Sequence, residues 1–83
     1  MKEIRLSPTA ARTLAKLPAA ARGRIMAKLA RYAAEPEKVA GSVKALKGSD
    51  FLRLRVDDYR VIFREGADRI EVSKVGHRRD VYE

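Results

Sequence analysis

The chain has no cysteine, one histidine and no apolar run long enough to cross a bilayer. Without cysteine there is no disulfide framework, and a reducing cytoplasm is the natural home of such a sequence. With His77 the sole histidine and no thiol beside it, the usual donor set of a transition-metal site is missing. The N-terminus lacks the apolar stretch of a signal peptide, so neither secretion nor a membrane partner is expected. Repeats, low-complexity tracts and linkers are absent too, and residues 1–83 are expected to form one domain. A chain of this length buries roughly 60–65% of its unfolded surface. No cofactor or metal is expected.

Positive charge is abundant. Nineteen Lys/Arg against eleven Asp/Glu give a net charge of +8 and a pI near 10.3, which favours polyanionic partners. Residues 1–43 hold nine Lys/Arg against three Asp/Glu, a net of +6, whereas residues 44–83 hold ten against eight, a net of +2. The second half is therefore locally patterned rather than uniformly basic. With 46% apolar and 36% charged residues the composition is that of a globular chain.

Ile4 and Leu6 alternate with charged neighbours and suggest a short strand. Ser7-Pro8 then reads as a helix cap followed by proline at the first helical position. Ala10, Leu14 and Leu17 fall on one helical face, and Pro18 ends that helix and starts another. In the second, Ala21, Ile25, Leu29 and Tyr32 make the apolar stripe, with Arg24, Lys28, Arg31 and Glu35 on the other side. That basic side is most simply solvated, or else it touches nucleic-acid phosphates or an acidic partner segment. Residues 37–50 read as a connection broken by Gly41 and Gly48. Strands are expected at 51–56, 59–65 and 69–75, with 65–68 as a turn. The fold class is α+β: an N-terminal strand and an αα-hairpin on one face of a small, mainly antiparallel, four-stranded sheet.

In the first of those strands Leu52, Leu54 and Val56 alternate with Phe51, Arg53 and Arg55, so both arginines leave the core on the same side. Asp57-Asp58 fits a two-residue turn better than a paired-carboxylate site. That turn sets Val56 opposite Tyr59, Leu54 opposite Val61 and Arg55 opposite Arg60. Like charges directly opposed in a sheet are destabilising, so the cluster points to a negative ligand, phosphate first. Extending the pairing with Phe63 opposite Ile70 and Val61 opposite Val72 leaves Arg53, Arg55, Arg60 and Ser73 on the open face, among Ile62 and Phe51. Tyr59 and Phe63 belong to the core. Arg78 and Tyr82 follow the last strand and can fold over its end.

The chain resembles the RelE/ParE superfamily of bacterial toxins, the toxin halves of type II toxin–antitoxin pairs. The resemblance rests on the order strand, two helices, Leu46-Lys47-Gly48, Arg53-Leu54-Arg55-Val56, Tyr59-Arg60-Val61-Ile62-Phe63 and Gly76-His77-Arg78-Arg79-Asp80-Val81-Tyr82. It implies a small toxin held by a cognate antitoxin. RelE-like members enter the ribosomal A site and cut mRNA, leaving a 2′,3′-cyclic phosphate and a 5′-hydroxyl; ParE-like members inhibit DNA gyrase without catalysis. An inactive RNA-binding relative is a third reading. By position, Arg60 and Arg78 match arginines that hold the scissile phosphate, and Tyr82 a tyrosine that orients a base. Arg53 falls at a lysine position of acid–base chemistry, and Arg55 at a further basic position. His77 and Arg79 complete the expected substrate contacts. The sequence departs from the family at Phe51, where a second lysine is usual, and at Asp57, where many relatives have a turn glycine.

The chemistry follows from the residues as well. RNA supplies its own nucleophile, the 2′-hydroxyl, so a nuclease must align it, neutralise charge growing on the phosphate and manage two protons. Arginine's planar fork suits the second task, but its permanent protonation makes it a poor base. As a residue type histidine suits proton transfer, which makes His77 a candidate; alternatively the ribosome or the RNA completes the machinery.

Overall fold

A computed structural model of the protein describes residues 1–79. Strand β1 (Glu3–Leu6) leads into helices α1 (Pro8–Lys16) and α2 (Ala19–Ala34). Two single 3-10 turns, Pro36–Lys38 and Ala40–Ser42, connect to β2 (Val43–Ala45), β3 (Leu52–Val56), β4 (Tyr59–Glu65) and β5 (Arg69–His77). The strands form one sheet in the order β1-β5-β4-β3-β2, with β1 parallel to β5 and the remaining pairs antiparallel. The α+β architecture agrees with expectation, with one addition. The segment 37–50 is not only a connection: it contains β2, an edge strand that makes the sheet five-stranded.

The two helices begin and end where local chemistry dictates. Ser7 Oγ accepts from Ala10 N at 3.0 Å, the side-chain cap that satisfies one of the first-turn amides of α1, and Pro8 needs no amide partner there. The same hydroxyl donates to Ser73 O at 2.8 Å, anchoring the start of α1 to β5. At the other end the Leu17 amide donates to Leu14 O, and Arg22 Nη1 adds bonds to Leu14 O and Leu17 O at 3.3 and 3.1 Å. Pro18 separates the helices and opens α2.

The core lies between the helices and one face of the sheet. Ala10 and Leu14 from α1, and Ile25, Leu29 and Tyr32 from α2, pack on Leu54, Val56, Val61, Phe63, Ile70, Val72 and Val75. Phe63 is fully buried, and the Tyr32 ring meets it edge-on with centroids 5.3 Å apart. The basic side of α2 is not simply solvated. Arg24 Nε reaches Asp57 Oδ2 at 2.6 Å and Lys28 Nζ donates to Arg55 O at 2.8 Å. These exposed contacts link α2 to the β3–β4 hairpin, whose seat on the core is set by buried Leu54, Val56, Val61 and Phe63.

The β3–β4 register is the expected one: Val56 faces Tyr59, Arg55 faces Arg60 and Leu54 faces Val61. Asp57 takes the turn with φ at +54°, a conformation that Asp tolerates better than most residues. The β4–β5 register differs from expectation. Glu65 joins the strand and pairs with Ile70, so Phe63 meets Val72 rather than Ile70. The connection tightens to residues 66–68, closed by a 2.8 Å bond from Gly66 N to Arg69 O. Between Ile62 and Phe63 the register then shifts, so that Val61 meets Val75 and Ile62 meets Lys74. The physical cause is spacing. Ile70, Val72 and Val75 all belong inside, but the last interval is three residues, and a bulge at Ser73 absorbs the extra one.

Candidate phosphate-binding face of the sheet

Directly opposed residues of an antiparallel sheet share a face, so the registers assign every strand side chain. Away from the helices, Arg55 on β3 and Arg60 on β4 stand opposite each other, and Arg60 is flanked on β5 by Gly76, which offers no side chain. The next row runs Lys44 on β2, Arg53 on β3, Ile62 on β4 and Lys74 on β5. Rows on one face are about 6.6–6.8 Å apart along the strands, and neighbouring strands about 4.8 Å apart across them. Five cationic side chains thus rise from a patch that the hydrogen-bond ladder holds in place.

Arg60 Nη1 donates to Asp57 O at 3.3 Å and to Tyr59 O at 3.1 Å, which holds the guanidinium toward the hairpin tip. Arg78 reaches the same tip from the end of β5. Its amide donates to Asp58 O at 2.7 Å and its Nε lies 3.9 Å from Asp58 Oδ1. Arg53 and Arg60 are half-buried, Arg55 is exposed, and Arg78 and Arg79 are exposed beyond β5. Fixed, forked cations along a rigid sheet are suited to a phosphate diester, whose charged oxygens accept paired hydrogen bonds.

The structure does not bring every expected residue to this face. His77 is opposite Tyr59, on the side of the sheet that the helices cover, and their rings meet edge-on at 5.9 Å. The bulge at Ser73 is responsible, because one extra residue in β5 reverses the facing of everything beyond it. His77 Nδ1 accepts from Arg79 N at 3.3 Å, a local turn contact. Tyr82 lies outside the described residues. Conversely, Lys44 and Lys74 were not singled out from sequence. Lys44 sits in a three-residue strand between glycine-marked turns, and Lys74 takes the facing position that regular alternation assigns to Ser73.

Among the described residues no group of three or more His, Cys, Asp or Glu could hold a metal ion. Among those residues, no helix is long and apolar enough to span a membrane. Among the described residues two titrating groups are clearly shifted, Tyr32 and Glu65, which bond to each other, with Glu65 at the far end of β4 from Arg60.

Residues 4–82 match the family model described as the ParE toxin of the parDE type II toxin–antitoxin system. No curated protein gives a significant sequence match. Among solved structures, the chain is similar to one in the archaeal RelE-RelB complex from Pyrococcus horikoshii OT3. Identity is 26% and the TM-score 0.77, over 96% of this chain and 98% of that one. A chain of the intact E. coli RelBE toxin-antitoxin complex aligns with a TM-score of 0.75 and 21% identity, covering 93% of this chain and 96% of that one. One from the Methanococcus jannaschii RelB-RelE complex gives 0.73 and 23%, covering 95% and 99%.

Proposed function

The chain belongs to the RelE/ParE superfamily of type II toxin–antitoxin toxins, and from that premise we propose that it is a ribosome-dependent mRNA endonuclease. The observation that carries this reading is the opposed pair Arg55–Arg60, next to the row Lys44–Arg53–Ile62–Lys74 on the face that the core does not use. A pair of like charges in register is destabilising alone and becomes favourable once an anion lies between them.

In the proposed reaction the 2′-oxygen attacks phosphorus, the 2′-O–P bond forms and the P–O5′ bond breaks. The products are a 2′,3′-cyclic phosphate and a 5′-hydroxyl. Arg55, Arg60 and Arg78 neutralise charge growing on the non-bridging oxygens, commonly the largest catalytic contribution in such sites. Arg53 contacts the same phosphate, and Lys44 beside it on β2 donates the proton that the departing O5′ needs. An ammonium gives up a proton where a guanidinium does not. The proton leaving the 2′-hydroxyl passes to the ribosome or the RNA, since His77 is on the other face. Arg79, exposed beyond the end of β5, contacts the RNA, and Tyr82 keeps the base-orienting role that the resemblance implies. The partner in the resting cell is a cognate antitoxin whose acidic segment covers the open face. Electrostatic steering makes that association slow as salt is added.

Brief induction followed by mapping of mRNA 5′ ends, with gyrase supercoiling measured in parallel, tests the reading. Cuts within translated frames are expected, with free RNA barely cut, because the A site supplies the alignment. Arg60→Ala should slow cutting about 100- to 1,000-fold. Intact mRNA with inhibited supercoiling would instead assign the ParE-like activity, which the ParE description of the family model favours. Unaffected growth with both targets intact would leave the inactive RNA-binding relative.

A further inference from the structure

The open face does not end at Arg53. One row further from the hairpin tip, Phe51 precedes β3 beside Arg64 of β4, whose guanidinium carbon lies 5.3 Å from the Phe51 ring centroid. Arg64 is opposite Glu71 on β5, and Glu71 is opposite Arg5 on β1. Together with Ser7, Arg69 and Ser73 these residues line a groove of about 310 Å³, at the small end of ligand-sized clefts (about 300–1,000 Å³). Three arginines stand against Glu71 in its lining, and two of them also have carboxylate partners at the rim, Arg5 Nε with Glu3 Oε1 at 2.6 Å and Arg69 Nε with Asp68 Oδ1 at 3.7 Å. Its floor is fixed: Ser7 Oγ bonds to Ser73 O at 2.8 Å and Ser73 Oγ to Ile62 O at 3.2 Å. Beyond Arg64 the surface turns acidic, with Asp50, Glu65 and Glu71 lining the next depression, so a polyanion is confined to the near side.

We propose that this groove is a nucleobase subsite for single-stranded RNA, with the Phe51–Arg64 pair as its stacking platform and Arg5 and Arg69 contacting the adjoining phosphate. Phe51 is half-buried and the Arg64 guanidinium over its ring is exposed, and both line the groove, within reach of a base that enters it. An aromatic ring backed by a cation binds any base through its π-face, and a basic groove tracks the strand. Arg60 and Arg64 are four residues apart on one strand, about 13 Å, and both face away from the helices. One RNA segment can therefore lie over both, with its phosphate at Arg55–Arg60 and a neighbouring base at Phe51–Arg64. The departure at Phe51 from the family's usual lysine then acquires a role: a side chain of acid–base type is replaced by one that stacks. The inference rests on the RNA-cleaving reading and adds where the flanking nucleotide sits.

The chain contains no tryptophan, so Phe51→Trp introduces a single fluorophore at the platform. Titrating the purified toxin variant with a short oligoadenylate should quench its emission. In the same background Arg64→Gln should weaken binding about 5- to 100-fold, the loss expected for one stacked base. Labelled oligoadenylate should bind Phe51→Leu, which keeps the apolar bulk but has no ring, more weakly by a similar factor. Binding with unchanged emission, or wild-type affinity in Phe51→Leu, would overturn the subsite. If the subsite fails but wild-type protein still cuts translated mRNA, the nuclease reading survives. If mRNA stays intact while the oligoadenylate quenches, the reading fails and the RNA site stands.

Discussion

Removing the Tyr32 hydroxyl separates the stability of the fold from the chemistry of the open face. That hydroxyl donates to Glu65 Oε1 at 2.7 Å, and Lys2 Nζ reaches Glu65 Oε2 at 2.6 Å, so three parts of the chain meet on one carboxylate. Burial, the hydrogen bond to Glu65 and the carboxylate charge push the Tyr32 pKa up to about 12 from 10.0. For Glu65, burial alone would raise the pKa. The bonds from Lys2 and Tyr32, with the Lys2 charge, outweigh it and bring the value below 4.5. A folded-state pKa that is depressed gives stability that is fully present above 4.5 and lost as pH falls through the folded value. The raised Tyr32 value works in the other direction: its contribution is complete below 10 and lost as pH climbs toward 12.

A hydrogen bond to a charged acceptor is worth about 1.5–3 kcal/mol. Tyr32→Phe leaves the Glu65 side chain bonded to Lys2 and 25% exposed, so the lower end applies, about 1.5 kcal/mol. For a domain of this size that lowers Tm by about 6–12 °C. The variant should also lose less stability than wild type on acidification, because one of the bonds depressing the Glu65 pKa is gone. Urea denaturation at neutral pH and below the carboxylate range measures both effects. An unchanged midpoint at neutral pH, or an acid limb as steep as wild type, would refute the reasoning. Growth arrest on induction should persist wherever the variant remains folded.

Ser7→Ala removes both the α1 cap and the bond to Ser73 O, and should cost about 1–2 kcal/mol by thermal unfolding. Asp57→Gly relieves a φ of +54° but loses an exposed ion pair with Arg24, so stability should change by less than about 1 kcal/mol. Asp57→Val, by contrast, should be destabilised by at least about 1 kcal/mol in the same denaturation series. Lys44→Glu reverses the charge of an exposed edge position, so Tm should hold while mRNA cutting falls at least about tenfold. Full cutting by that folded variant would remove Lys44 from the proposed proton transfer.

How much of this was legible in sequence depends on whether a local rule or a distant contact decides each feature. The β3–β4 hairpin was legible because strict alternation from Leu52 to Val56 and a two-residue turn leave one register that buries both apolar rows. The opposed Arg55–Arg60 pair came with it. Strand β5 was legible as a strand but its register was not, because Ile70, Val72 and Val75 break alternation, and a sequence does not say whether the loop or the strand absorbs the extra residue. The sheet resolves it with a tight loop and a bulge, which exchanges Ser73 for Lys74 on the open face and takes His77 off it. Strand β2 escaped for a different reason. Three residues carry too little periodicity, and their strand character comes from pairing with Leu52–Leu54. Even the basic side of α2 depended on tertiary structure, since Arg24 and Lys28 find partners on a hairpin some thirty residues away.

Magnitudes explain why the fold can carry such an open face. An opposed pair of like charges costs on the order of 0.2–1 kcal/mol on an exposed surface. Each large apolar side chain fully withdrawn from water contributes about 1.5–3 kcal/mol. Phe63, Ile25, Leu29, Leu54, Ile70, Val61 and Val72 are all fully buried on the helix side. The core face therefore sets the fold, and repulsion on the other face is a perturbation that it easily absorbs. Substitutions there should therefore leave the fold intact. Under the proposed reading, substrate RNA and an acidic antitoxin segment both relieve the same repulsion at Arg55 and Arg60. They must then compete for it, and inhibition needs no movement of the toxin core.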